Sequence, residues 1–440
     1  MNAAKFKALA IAMLLATTHN ALSAEPDARW WKGNTHTHTW WSDGDTPPEL
    51  VAKWYKEHDY QFLVLTDHNI MQAGTEWYPI DDTRRSVTQI QQAYDEYVRT
   101  YGNNWVETRT VAGNREVKLK TLDEFRALFE EAGSFIFIKG EEITDSFHTH
   151  SIHMNGVNLA EFVAPAGGSS IANTIQRNVD AVVAQGERTG QPMFIHLNHP
   201  NFQYAETVED FMQVDSAAGD GFFEMYNGHS GVNNYGDALH ESSERMWDIV
   251  LAKRIGELDL EVFYGVAVDD AHEYTVWGLG EVNPGRGWLM VKSQWLTPNK
   301  ITEAIKRGDF YNSTGVTLRS LDINDGGITL DIEPQAGVEY RVEFVGTLKD
   351  ADLTPKTAPA PEHMHAETTD HLHDTITSYS ADVGRVLSET SGTHAEYKVR
   401  GDELYVRARI TSTKLHPNPF AAGDVEMAWT QPLVVKQAAK

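Results

Sequence analysis

Residues 33–45 read Gly-Asn-Thr-His-Thr-His-Thr-Trp-Trp-Ser-Asp-Gly-Asp, which sets His36 and His38 two apart and Asp43 a short step later. On an extended strand the side chains at i and i+2 leave the same face, about 6.5–7 Å apart at the backbone. Two imidazoles held that way converge on one cation or on two neighbouring ones, and a turn at Ser42-Asp43-Gly44 folds a carboxylate back toward them. Similar pairs recur along the chain. Val-Leu-Thr-Asp-His-Asn ends an apolar run with Asp67 and His68, and Glu141 and Glu142 precede His148, His150 and His153. His196 and His199 follow, then Asp269, Asp270 and His272. Each pair alone reads as an ordinary turn or core polar group; their joint recurrence points to metal. With no cysteine in the chain, any metal sits on imidazole and carboxylate, donors that Zn²⁺, Mn²⁺ and Fe²⁺ accept when thiolate is absent.

Seven short apolar, β-branched runs must position these residues: 30–38, 61–67, 135–142, 192–199, 221–228, 261–270 and 285–293. Helical stretches separate them. Thr46-Pro-Pro-Glu49 and Thr121-x-x-Glu124 read as capping boxes, and a further helix opens at Pro298 and stops at Gly308. Strand–helix alternation predicts a parallel sheet, closed or open. His36/His38, Asp67/His68, Glu141/Glu142, His196/His199, Glu224 and Asp269/Asp270/His272 all fall at the carboxyl ends of their runs. In α/β barrels that end carries the active site.

From Thr314 onward the pattern changes to alternating apolar and polar residues with turns between, which predicts a small antiparallel β domain over 314–440, sandwich-like in form. A His/Pro-rich loop near 355–375 interrupts it, and its His363, His365, His371 and His373 form two His-x-His pairs that collect metal or are incidental. Residues 1–24 read as a secretory signal, with Lys5 and Lys7 before a short apolar core and small residues at the cleavage point. The expectation is an exported protein, periplasmic or extracellular, with no membrane anchor after cleavage. The charge of −26, from 37 basic and 63 acidic residues, argues against nucleic acid as a partner. The sequence says nothing of oligomeric state.

In order, the chain carries His-Thr-His-Thr-x-x-Ser-Asp-Gly, Thr-Asp-His-Asn, Gly-x-Glu-Ile-Thr, a histidine shortly before Asn155, Asn-His-Pro and Asp-Ala-His. The set resembles the polymerase and histidinol phosphatase (PHP) superfamily of metal-dependent hydrolases, over roughly residues 30–312. It looks most like the exported, carbaryl-hydrolase-like branch, whose β extension "GDFYNSTG" and "AWTQPL" also resemble. The resemblance implies an α/β fold, a distorted (β/α)7 barrel over 25–313 followed by the small β domain, and two or three divalent ions (zinc, manganese or iron). It places His36 and His38 on one metal with Asp270 and a bridging Glu142. Asp43 and His68 hold a second, His272 reaches into the same cluster, and His153 and His199 complete a third position. Glu141, Asp269, and His148 or His150 are the neighbouring rivals of Glu142, Asp270 and His153, and His196 is read as a supporting residue.

Metals roughly 3.5–4 Å apart share a water and lower its pKa from about 15.7 toward about 7, which supplies hydroxide at neutral pH. No nucleophilic side chain is then needed, which suits a chain without Gly-x-Ser-x-Gly; Asp270 or His272 is the expected proton shuttle. The first expectation is a phosphoesterase acting on phosphomonoesters, the second a carbamate or aryl-ester hydrolase. A non-catalytic metal- or glycan-binding protein is the reading from another class. Arg286 is the expected phosphate clamp, with Lys139 behind it, and Trp41 and Tyr226 are the expected aromatic wall for a small-molecule ester.

Overall fold

The computed structural model describes residues 27–81, 86–215, 221–360 and 375–435. The leader read at 1–24 and His363, His365, His371 and His373 lie outside the described residues. The chain opens with β1 (Arg29–Asn34), α1 (Pro48–Glu57) and β2 (Phe62–Leu65). A small antiparallel sheet of β3 (Trp77–Pro79), β4 (Thr108–Val111) and β5 (Asn114–Lys118) accompanies α2 (Val87–Tyr101). After α3 (Leu122–Phe125), β6 (Ile136–Phe147) doubles back as β7 (His150–Val157). Then come α4 (Ile171–Thr189), β8 (Phe194–Leu197), α5 (Val208–Phe211), β9 (Gly221–Asn227), α6 (Ser243–Lys253) and β10 (Tyr264–Val268). β11 (Trp288–Ser293), α7 (Pro298–Lys306) and β12 (Phe310–Ser313) follow. The remainder is β13 (Leu318–Asn324), β14 (Gly327–Ile332), β15 (Tyr340–Leu348), β16 (Lys356–Pro359) and β17 (Thr375–Ser378). It ends with β18 (Arg385–Ser391), β19 (His394–Lys398), β20 (Glu403–Leu415), β21 (Val425–Thr430) and β22 (Leu433–Val434). Among the described residues no helix is long and apolar enough to cross a membrane.

The fold is α/β with mixed sheet topology. The main sheet runs β10-β9-β8-β7-β6-β2-β1-β11-β12-β21-β20-β15-β18. All seven apolar runs are strands, but the expected parallel sheet is corrected in two places. β7 is antiparallel to both β6 and β8, and β11 is antiparallel to β1 and β12. The connection from β10 to β11 contains no crossover helix, which parallel pairing requires, so β11 returns along β1 instead. At their carboxyl ends β1 and β10 meet. Thr37 bridges Ala271, the His38 N–H donates to the Ala271 carbonyl at 2.9 Å, and the Asp270 N–H donates to the His36 carbonyl at 3.0 Å.

Inside these strands sits a core of Phe62, Val64, Ile138, Phe194, Phe222, Val266 and Leu289, closed below by Ile301 and Ile305 of α7. A second core lies between the β13-β14-β19 sheet and the faces of β15 and β20. The hydrogen-bonded path crosses the sequence boundary expected at 313/314 without a break, because β12 pairs with β21 through Tyr311–Thr430, Asn312–Trp429 and Ser313–Ala428. Buried Arg407 of β20 also grips Asp248 of α6 with two nitrogens, at 2.8 and 2.9 Å.

One of the two capping boxes forms. Thr121 and Glu124 exchange the expected bonds at α3. At α1 the cap is Pro47, which has no N–H to give, and Thr46 donates to Asp45 instead. Glu49 is buried and accepts from Tyr97 Oη at 2.6 Å and Trp105 Nε1 at 2.8 Å.

Candidate metal centre

The end of β1 is held by Asn34, which accepts the His36 N–H at 3.0 Å and donates to Asp269 at 2.6 Å. Beyond it His36 and His38 lie on one face with their Nε2 atoms 3.1 Å apart. Asp67, at the end of β2, accepts from the Thr39 N–H at 2.7 Å and Ser42 Oγ at 2.8 Å, so it pins the loop that presents Asp43. In β6 the pleat sends successive side chains to opposite faces. Glu142 therefore enters the cluster, while Glu141 accepts the Val163 N–H at 2.6 Å on the other side. Asp269 accepts from the main chain of Arg286 and Gly287 and from Tyr55, which leaves Asp270 to face inward. His150 points to the Ala205 carbonyl, 3.0 Å away. His199 and Asp270 both carry positive φ, 24° and 49°, a conformation that costs a non-glycine residue about 1–3 kcal/mol and clusters at working sites.

Every residue of the expected ligand set falls in the same place. His38, Asp43, His68 and His272 form one group; His36, His38 and Glu142 a second; His36, His199 and Asp270 a third; His68, Glu142 and His153 a fourth. Within each group the ligand atoms lie within 4.8 Å of one another. Asp270 Oδ1 is 3.1 Å from His36 Nε2 and 3.3 Å from His38 Nε2. Glu142 reaches His38 at 3.3 Å, His68 at 2.8 Å and His153 at 3.1 Å. Asp43 lies 3.3 Å from both His38 and His272.

The electrostatics call for positive charge. Burial alone would lower the imidazoles of His36 and His38, but Asp270, Glu224, Glu142 and Asp43 outweigh it and hold both above the usual range. His68, pulled the same way by Glu142 and Asp43 against its burial, is raised to about 11. Conversely, burial would raise Glu142 and Asp270, and the surrounding imidazoles hold both well below the carboxylate range. Glu142 Oε2 and His153 Nδ1 are buried without a well-aligned hydrogen-bond partner. A divalent cation fits these acceptors, and the overlapping groups suit more than one; the donor set does not choose between zinc, manganese and iron.

Glu224 is the residue that sequence reasoning left without a role. Its Oε1 accepts from His36 Nδ1 at 2.6 Å, which leaves the Nε2 lone pair for a cation. Such carboxylate–histidine pairs fix the tautomer and orientation of a ligand. Its Oε2 accepts the His199 N–H and Asn227 Nδ2, both at 2.8 Å. The available signal was a lone glutamate inside the wholly buried run Gly221–Asn227. His196, also buried, lies 3.5 Å from the same carboxylate and in none of the groups; burial lowers it to about 4.

Four expected substrate residues are engaged elsewhere. The Arg286 guanidinium is buried and donates to the carbonyls of Gly228, Gly278, Glu281 and Asn418, so it ties loops together and offers no clamp for phosphate. Trp41 is packed among Ile90, Tyr97 and Val117, with its Nε1 donating to the Lys120 carbonyl. Tyr226 stacks on Trp429 with centroids 5.8 Å apart and lines a separate cavity of about 330 Å³ with Phe420 and Met427. Lys139 pairs with Asp123 at 3.6 Å.

No protein-family model and no curated protein matches the chain. Solved structures match it distantly. A two-domain protein from Bacteroides vulgatus containing a predicted PHP-like metal-dependent phosphoesterase is 12% identical, with a TM-score of 0.34, covering 92% of this chain and 97% of that one. An amidohydrolase from Chromobacterium violaceum, solved with sulfate and no metal, is 13% identical with a TM-score of 0.27, covering 55% and 87%. A protein from Bifidobacterium adolescentis, proposed to be a metal-dependent phosphoesterase, is 13% identical with a TM-score of 0.25, covering 56% and 89%. At these scores the likeness carries no argument.

Proposed function

We propose that this chain is a metal-dependent hydrolase of the PHP type, built on a distorted seven-stranded barrel, that cleaves small-molecule esters with two or three divalent ions. The observation that carries it is the convergence of nine imidazole and carboxylate side chains, carried on six strands and the loops that follow them, onto overlapping donor groups. Divalent cations held there supply Lewis acidity and an activated water. His36, His38, Glu142 and Asp270 would hold one ion, Asp43, His68 and His272 a second, and His153 and His199 a third. Asp270 and His272 are the two candidates to take up a proton. His272 has its Nδ1 tied to the Asp270 carbonyl at 2.9 Å and offers only Nε2.

Among esters, uncharged carbamates and aryl esters fit better than phosphomonoesters. The phosphate reading needed Arg286, and that side chain is engaged with carbonyls. Two divalent cations would balance the charges of Asp43, Glu142, Glu224 and Asp270, leaving a near-neutral centre on a chain of charge −26. A dianion gains little there. The donors around His153 and His199 keep phosphomonoesters as the second reading, because a third cation there would make the centre positive.

The test is a panel of aryl esters, carbamates and phosphomonoesters assayed with Mn²⁺, Zn²⁺ and Fe²⁺. We expect turnover of the uncharged esters to exceed that of phosphates. Full metal occupancy with no turnover of any of them would leave the binding-protein reading in its place. Export belongs to the same proposal; a mature form beginning near residue 25, found outside the cytoplasm, is its signature.

A further inference from the structure

His229 follows β9 and belongs to none of the donor groups, yet its ring stands edge-on to His272 with centroids 5.3 Å apart. Its main-chain N–H donates to Asn227 Oδ1 at 2.7 Å, and Asn227 in turn donates to both Glu224 and Asp270. The loop is therefore tied to carboxylates of the centre itself. His229 Nδ1 accepts the Gly231 N–H at 2.9 Å. A nitrogen that accepts an N–H carries the lone pair, so the neutral ring holds its proton on Nε2. That N–H has no protein acceptor among the described residues, and the side chain is half-buried.

Phe202 also stands against His229. Its ring is edge-on to His229 at 5.8 Å and lies 5.3 Å from the ring of His199. Gly231 lets the two close together, since a Cβ there would come within 3.0 Å of both Phe202 Cε2 and His229 Cε1. One glycine thus fixes the tautomer through its N–H and clears the space through its missing side chain.

Building on the hydrolase reading above, we propose that His229 Nε2–H grips the leaving-group oxygen of an uncharged aryl ester at the metal centre, with Phe202 as the apolar wall beside it. The contact is a hydrogen bond, and no proton is transferred. A neutral donor next to an aromatic wall suits a phenolic oxygen and offers no charge to a dianion.

The experiment compares the parent with His229→Leu and His229→Gln, the latter because its amide nitrogen reaches the position of Nε2. Metal content, kcat/KM for phenyl acetate and the binding of phenol, followed by NMR, are measured for all three. We expect parental metal content throughout. His229→Leu should lose about tenfold or more in kcat/KM and bind phenol several-fold more weakly, with much of both recovered in His229→Gln. Parental kcat/KM and phenol binding in His229→Leu would overturn the proposal, as would loss of metal from a folded His229→Leu, which would make His229 a ligand. If no ester is turned over, the hydrolase reading fails on its own, and phenol binding still decides the role of His229.

Discussion

Replacing Glu224 by glutamine keeps the shape of the side chain and removes one negative charge beneath the donor cluster. In the parent, three donors converge on two carboxylate oxygens: His36 Nδ1 at 2.6 Å on Oε1, and the His199 N–H and Asn227 Nδ2 at 2.8 Å on Oε2. A glutamine amide offers one oxygen and one NH2, so it cannot receive all three. Turned with its oxygen toward His199, its NH2 meets His36 Nδ1 and favours the other tautomer, with the proton on Nε2. That is the atom facing His38 and Asp270, and a protonated nitrogen is no ligand. Turned the other way, it leaves the two donors of Oε2 unpaired. A hydrogen bond to a charged group contributes about 1.5–3 kcal/mol, which is roughly 10- to 100-fold in an equilibrium constant, the range expected when the outer partner of a metal-binding histidine is removed. The assay is a Zn²⁺ or Mn²⁺ titration of metal-free Glu224→Gln against a competing chelator, with far-UV circular dichroism to verify the fold. Kd should rise by that factor. Parental affinity in a folded Glu224→Gln would refute the idea that His36 presents Nε2 to a metal.

Three further outcomes are expected. Glu142→Ala should lose bound metal on elemental analysis and Glu141→Ala should keep it, since the two carboxylates lie on opposite faces of β6; the reverse result would place the ligand one residue earlier. His36 and His38 are raised above the usual range and His68 to about 11, so at pH 7 the metal-free protein holds imidazolium that a cation must displace. Loading should release protons, His68 contributing first, read by calorimetry in buffers of different ionisation enthalpy, and affinity should weaken as pH falls; zero release would contradict the charge state. Glu49 is raised by burial from 4.5 to about 7 despite its bonds from Tyr97 and Trp105. The folded state then holds a proton that the unfolded chain has released, so stability falls as pH rises from 4.5 to about 7, by about 3 kcal/mol in all. Glu49→Gln should raise Tm at pH 8 and leave it unchanged at pH 4, and equal Tm values at both would count against this.

All the donor residues but His153 were legible because they sit in short motifs at or just after the end of an apolar run; His153 lies inside β7, which no run announced. The choice between adjacent candidates was less so. Glu141 and Glu142 differ by which face of β6 they occupy, a matter of pairing register with β2 and β7 that a single run does not state. β7 was missed because His150, His153 and Asn155 read as chemistry and obscured its alternation. Arg286, between two glycines in a loop, looked like a cation at a mouth. What buries it are carbonyls at 228, 278, 281 and 418, which no local window brings together. Glu224 and His229 act through contacts with residues distant in sequence, so their roles emerged only with the tertiary structure.

The pairing of β12 with β21 sets an order of assembly. When residues 310–313 leave the ribosome, the partner that will cover their outer edge, 425–430, is roughly a hundred residues from being made. Until then the sheet that carries the donor residues ends in an open edge, the kind that recruits strands from other chains. The last support for Arg286 also comes late, from Asn418 in the connection that leads into β21. The donor-bearing half is therefore sealed, and its loops fully braced, only when the far end of the chain arrives. A product cut short before β21 keeps every metal-binding motif and still presents an unpaired strand, an edge that β21 covers in the finished protein.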